Sequence, residues 1–158
     1  MLERLRTNTR GAVLAEFMIA LVPVLTTFFS FVQLSRVASA RLVVKHGAIV
    51  GARAAAVIAN GKKNTPGQEQ GTNDAEITNG VKAALGPWWS KTGAITAVEV
   101  KVTDRSSRSD PYGWVEVKVT ATYACRVPMG FVACGGRSKK IEETFKMPHQ
   151  GALYEVEQ

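Results

Sequence analysis

The sequence predicts an α+β protein in which a long N-terminal, membrane-spanning α-helix is followed by a short helix and a small antiparallel β-sheet head. Three observations carry that expectation. From Gly11 to Leu34 run twenty-four residues whose only charge is Glu16, long enough at about 1.5 Å per residue to cross a hydrocarbon core of ~30 Å. Helical sequence then continues without Gly-Pro or Asn-Gly punctuation as far as Asn60-Gly61,. Farther on, the apolar spacing shortens from about four residues to about two. With 158 residues, 46% of them hydrophobic and 21% charged, the chain suits one domain; it is too apolar for intrinsic disorder and too short for a multidomain enzyme.

Residues Met1 to Arg10 are polar, with three Arg and one Glu, and positive charge before a first span favours an N-in orientation. Everything after about residue 36 is then expected outside the cytoplasm, although Arg36, Arg41 and Lys45 weaken the charge asymmetry,. The long helix is expected over 12–59, in the membrane over about 12–35. Pro23 should kink or loosen it locally,. Its outer half carries a seven-residue repeat: Val37, Val44, Gly51 and Ile58 at one position, with Ala40, Gly47 and Ala54 three residues after the first three of these,. Small residues let backbones approach closely, and Gly47 and Gly51 form a G-x-x-x-G pair,. The seam is a contact ridge in a bundle of helices, the face that packs on the protein's own sheet, or both.

Residues 60–72, NGKKNTPGQEQGT, hold three Gly, one Pro and no large apolar side chain, and read as an exposed loop and natural hinge,. The head, 73–158, opens with a short helix. Asn73 is its N-cap, Glu76 the capping-box partner, Ile77, Val81 and Leu85 its apolar face and Gly86-Pro87 its stop,. Val98, Val100 and Val102 then alternate with polar residues. After the polar turn RSSRSDPYG, Val115, Val117, Val119, Ala121 and Tyr123 do the same, giving two half-buried antiparallel strands,. CRVPMGFVAC leads to a third, weaker strand around Lys140 to Met147, whose face of Ile141, Phe145 and Met147 is interrupted by Glu143,. Cys125 and Cys134, nine positions apart, lie on the side expected outside the cytoplasm, where a disulfide is the default over free thiols. Closing so short a loop contributes roughly 2–3 kcal/mol on the chain-entropy model. The two histidines, His46 and His149, are not grouped with other ligands, so no metal site is expected,.

The junction of basic leader and apolar helix reads Arg10-Gly11-Ala12-Val13-Leu14-Ala15-Glu16-Phe17. It resembles a type IV prepilin, a family with a short basic leader, Gly before the cut, a carboxylate five residues into the mature chain, usually followed by Phe, and then a hydrophobic helix. Those positions here are Gly11, Glu16 and Phe17. The small residues after Gly11, the GARAAA run at 51–56 and the small β-containing head make the chain most similar to TadE-like minor pilins, or pseudopilins, of the tight adherence (Flp, type IVb) pilus. The resemblance spans roughly residues 10–59 and is schematic afterwards. It implies a prepilin-type leader over 1–11, a cut between Gly11 and Ala12 by a prepilin peptidase, and assembly through Glu16, Phe17 and the N-terminal helix. The implied partners are other pilins, the pilus assembly machinery and the bacterial cytoplasmic membrane, with the head periplasmic or extracellular. Physical reasons stand beside the likeness. A carboxylate inside a span is unfavourable by up to ~3 kcal/mol, so Glu16 needs a partner. A cut after Gly11 creates an α-ammonium on Ala12, at i, i+4 from Glu16 and equally open to the Glu16 of a neighbouring subunit. Gly11, without a side chain, gives a protease access to the backbone.

Two other processing patterns compete. An uncleaved single-span anchor, whose extracytoplasmic head binds an envelope partner, explains Glu16 as a carboxylate reaching headgroups, but not the Gly five residues earlier or the adjacent Phe17. Ala38-Ser39-Ala40 matches a signal peptidase site, yet the apolar stretch is about twice the usual length. Twenty Lys and Arg against thirteen Asp and Glu give +7, but the basic residues are dispersed without interleaved aromatics, so no nucleic acid is expected as partner. Catalysis is not expected, and neither is a cofactor. His46 lacks a motif partner, Trp88-Trp89 suit core or cap packing, and Asp104, Glu142 and Glu143 read as solvent-facing charges,.

Overall fold

The computed structural model describes residues 9–59, 74–105, 113–128 and 131–150. The leader before Thr9, the 60–72 loop, Asn73 and most of the RSSRSDPYG turn lie outside the described residues. Helix α1 runs unbroken over Thr9–Ile58, 50 residues with Pro23 inside it. Just past the proline, Thr26 Oγ1 donates to the Val22 carbonyl at 2.8 Å and Thr27 Oγ1 to those of Pro23 and Val24 at 3.0 and 2.8 Å. Both hydroxyls are thus satisfied inside the helix, as an apolar surrounding demands. Helix α2 spans Asp74–Leu85 and stops where Gly86 adopts φ of 51°, a left-handed cap that glycine takes without a Cβ penalty. One 3₁₀ turn, Gly86–Trp88, follows.

Strands β1 (Ile95–Asp104), β2 (Trp114–Ala124) and β3 (Ser138–Pro148) form an antiparallel sheet in the order β1-β2-β3. A single helical turn, α3 (Phe131–Cys134), lies between β2 and β3. β3 is longer at both ends than its sequence suggests. β1 also begins earlier, because its register shifts between Ile95 and Ala97. That bulge puts odd-numbered Ile95 on the inner face with even-numbered Val98, Val100 and Val102.

The core lies between one face of the sheet and the two helices. Inward-facing Val115, Val117, Val119, Ala121 and Tyr123 of the central strand are buried, as are Ile77, Val81 and Leu85 of α2. Helix α1 contributes Val37, Ala40, Val44, Ala48, Ala52, Ala55 and Ala59. Their spacing follows the 3.6-residue turn of a straight helix, so the buried stripe drifts away from a strict seven-residue repeat. Of the seam, Ala54 and Ile58 are accordingly only partly buried. Gly47 and Gly51 mark where α2 presses closest: a Cβ at Gly47 would stand 3.4 Å from Leu85 Cδ2, and one at Gly51 2.6 Å from Val81 Cγ2.

Glu143 corrects the reading of it as a solvent-facing charge. Its side chain is 15% exposed and accepts a hydrogen bond from Arg41 Nε of α1. The interruption in the apolar face of β3 is therefore a contact between strand and helix. On the opposite face of the sheet, Lys118 pairs with Glu142 at 2.7 Å and Lys146 with Glu116 at 3.2 Å. Asp104 is half-buried.

Candidate functional site

The candidate site is the bare half of α1 and its junction with the head. Residues 11–20 are all exposed, including Val13 and Leu14 at 65% and Ile19 at 74%. The most apolar window of this helix has mean hydropathy 2.1, and none of its residues is buried. A chain folding in water buries such side chains, at about 1.5–3 kcal/mol each. Here most of them stay exposed. By length and composition α1 is suited to be a single-pass membrane anchor.

On this bare half Gly11 has no atom within 4 Å of the position a Cβ would take. Glu16 and Phe17 are exposed, Phe17 at 59%. Ala12 and Glu16, four residues apart on a continuous helix, lie on one side of it,. Residues 11–20 thus present an uncovered, largely apolar surface along α1.

The second half of α1 is covered by its own head. Val37, Ala40, Val44, Gly47 and Gly51 are buried against the sheet and α2, which places most of the seven-residue seam inside this fold. Leu42 and Val57 face outward at 69% and 59%. His46 is exposed on the helix, and Trp88 and Trp89 pack on the core.

Polar contacts hold the two halves of the molecule in register. At the lower end Gln33 is fully buried; its Nε2 donates to Tyr123 Oη at 3.5 Å and to Cys134 Sγ at 3.3 Å. Cys134 is disulfide-bonded to Cys125, so the bridge sits beside the helix at the upper end of the apolar run. Eight residues higher, the Glu143 carboxylate holds the Arg41 proton by hydrogen bond and charge, pushing that guanidinium up from its ordinary value. At the upper end His149 Nε2 donates to the Ala59 carbonyl at 2.6 Å and the Gln150 amide to the Ala56 carbonyl at 3.0 Å. These carbonyls lie at the C-terminal end of α1, where intrahelical donors have run out,.

Gln33 and His149 were not singled out by sequence reasoning. Gln33 had a signal: it lies four residues before Val37 on the stripe that continues through Ala40 and Val44, the one amide in an otherwise apolar series. For His149 there was none, since its partner carbonyl is ninety residues away. No protein-family model, curated protein or solved structure matches the chain.

Proposed function

We propose that the chain is a structural subunit of a pilus assembly, a TadE-like minor pilin or pseudopilin of the tight adherence (type IVb) kind, acting through its N-terminal helix and carrying no chemistry of its own. One observation carries the reading: a single continuous helix bears the Gly11, Glu16, Phe17 series on a bare apolar half and is grafted through its other half onto a small α+β head. In this reading a prepilin peptidase cuts after Gly11 and the α-ammonium of Ala12 neutralises Glu16, its own or a neighbour's, as the apolar half leaves lipid for a bundle of like helices. The head stands outside the cytoplasmic membrane, where the Cys125–Cys134 disulfide is at home,.

The test is the intact mass and N-terminal sequence of the protein recovered from its native membrane. A start at Ala12 supports the reading. A start at Met1 gives the uncleaved anchor instead, and a start at Arg41 a secreted head. Glu16→Ala should abolish assembly while the protein is stably made; unchanged piliation would refute the role of the carboxylate.

A further inference from the structure

The end of the head that lies nearest the apolar half of α1 has a charge pattern the assembly role does not use. Four contacts define that end. Gln33 meets Tyr123 and Cys134, Leu34 borders a groove shared with Lys139 and Lys140, Arg126 Nη1 donates to the Thr92 carbonyl, and the Ala124 amide to that of Ala94. Segment 133–140 therefore lies beside residues 33–38 of α1, and 124–128 and 90–94 continue the same end of the sheet away from the helix. On them Lys91, Arg126, Arg137, Lys139 and Lys140 are exposed, as is Arg36 on the helix. Among the described residues these segments hold no Asp or Glu. The acidic residues of the sheet, Glu99, Asp104, Glu116, Glu142 and Glu143, all lie farther along the strands.

Depth matches charge. The run from Gly11 to Leu34 is about 36 Å long as a helix, against ~30 Å for the hydrocarbon core. The polar layer just outside therefore begins near Leu34 and takes in Arg36 and, about 10 Å above Leu34, Arg41. The groove of about 370 Å³ opens at this level, with Leu34, Val37 and Ile141 supplying apolar wall and Lys139 and Lys140 the cations, while Arg41, also on its wall, is paired with Glu143. Glu142, which also borders it, is held by Lys118 at 2.7 Å.

We propose that this basic end is a docking surface for anionic phospholipid headgroups, with the groove between α1 and β3 seating one headgroup, so that the head rests on the membrane its helix spans. The occupant follows from position and chemistry together: a cationic, partly apolar groove at headgroup depth meets phosphate and upper acyl chain at once. The inference rests on α1 spanning a membrane and does not require a pilus.

The experiment places the full-length protein in nanodiscs of phosphatidylcholine alone or mixed with phosphatidylglycerol and reads amine acylation lysine by lysine with mass spectrometry. An anionic surface concentrates protons and keeps nearby amines protonated, so Lys139 and Lys140 should label about threefold more slowly in the mixed discs. Salt at about 0.5 M should erase the difference. Lys101, Lys118 and Lys146, higher on the sheet, should label alike in both lipids. In Arg137→Gln/Lys139→Gln/Lys140→Gln, with all three positions exposed, the slowing at Lys91 should shrink. Equal rates at Lys139 and Lys140 in the two lipids overturn the docking surface alone. A chain that stays out of the discs overturns the spanning reading and the docking surface with it.

Discussion

Adding one methyl group at each of two neighbouring glycines should move stability in opposite directions. At Gly51 a Cβ would stand 2.6 Å from Val81 Cγ2 and 3.2 Å from Val117 Cγ1, against an ordinary carbon–carbon contact of about 3.5–4.0 Å. Val81 cannot swing aside: it is β-branched on a helix, held to one rotamer, and its neighbours Ile77 and Leu85 are fully buried,. Helix α2 must retreat by about 1 Å, an overpacking cost of roughly 1–3 kcal/mol. The better helix propensity of alanine offsets about 0.8–1 kcal/mol of this. At Gly47 the nearest atom is the flexible end of Leu85, at 3.4 Å, so the propensity gain stands almost alone. Gly47→Ala should therefore stabilise by about 0.5–1 kcal/mol and Gly51→Ala destabilise by about 0.5–2. For a chain of this size that separates the two melting temperatures by on the order of 3–10 °C. The assay is thermal unfolding of the full-length protein in detergent, followed by tryptophan fluorescence, since Trp88 and Trp89 pack against this core. Val81→Ala supplies the internal check, because Gly51→Ala should lose most of its cost in that background. A Gly51→Ala protein as stable as the parent, or additive effects in the cycle, would refute the close approach of α2 at Gly51.

Three further outcomes follow from contacts described above. Cys125→Ser/Cys134→Ser should lower stability by roughly 2–3 kcal/mol, read as melting temperature under oxidising conditions; an unchanged value would show that the bridge does not constrain the unfolded chain. His149→Ala leaves the buried Ala59 carbonyl without its donor and should cost about 1–2 kcal/mol, with faster amide exchange over 55–59 as the local sign. Lys118 holds Glu142 below its ordinary value of 4.5 by hydrogen bond and charge, and is itself held above 10.5. The pair's contribution is thus complete between those values, lost as pH falls through the lowered carboxylate value and again as pH rises through the raised amine value. Both groups are exposed, so the effect is small and salt-sensitive. The difference in melting temperature between parent and Glu142→Gln at low salt should vanish at both extremes of pH.

The period of the sequence made most of this fold legible. Ile77, Val81 and Leu85 at i, i+4 and i+8, and the alternation from Val115 to Tyr123, each specified an element and its buried face,. What stayed hidden were features that break period or act at a distance. The bulge at Ile95–Ala97 reverses the alternation of β1, so the start of the strand did not look like one,. Glu143 read as an interruption because the residue that accommodates it, Arg41, is on an element one hundred and two positions away. Gly47 and Gly51 announced a close approach, but not whether the approaching surface belonged to this chain. The site divides in the same way. The Gly11, Glu16 and Phe17 series is entirely local and readable, whereas Gln33 and the contacts around it exist only once β2 and the disulfide are folded against the helix.

The arrangement of strands beside α1 has a mechanical consequence. β2 and β3 run alongside the outer half of the helix, with Glu143 joined to Arg41 near one end and His149 to Ala59 at the other. Between these pins the interface is apolar and spread along the stripe from Val44 to Ala56. A pull along the axis of α1 therefore loads the whole interface in shear, and slipping requires both pins and every packed layer to yield together. A sideways pull on either end would instead peel the contact one turn at a time. The head is built to be dragged lengthwise by its helix and is weakest when levered away from it.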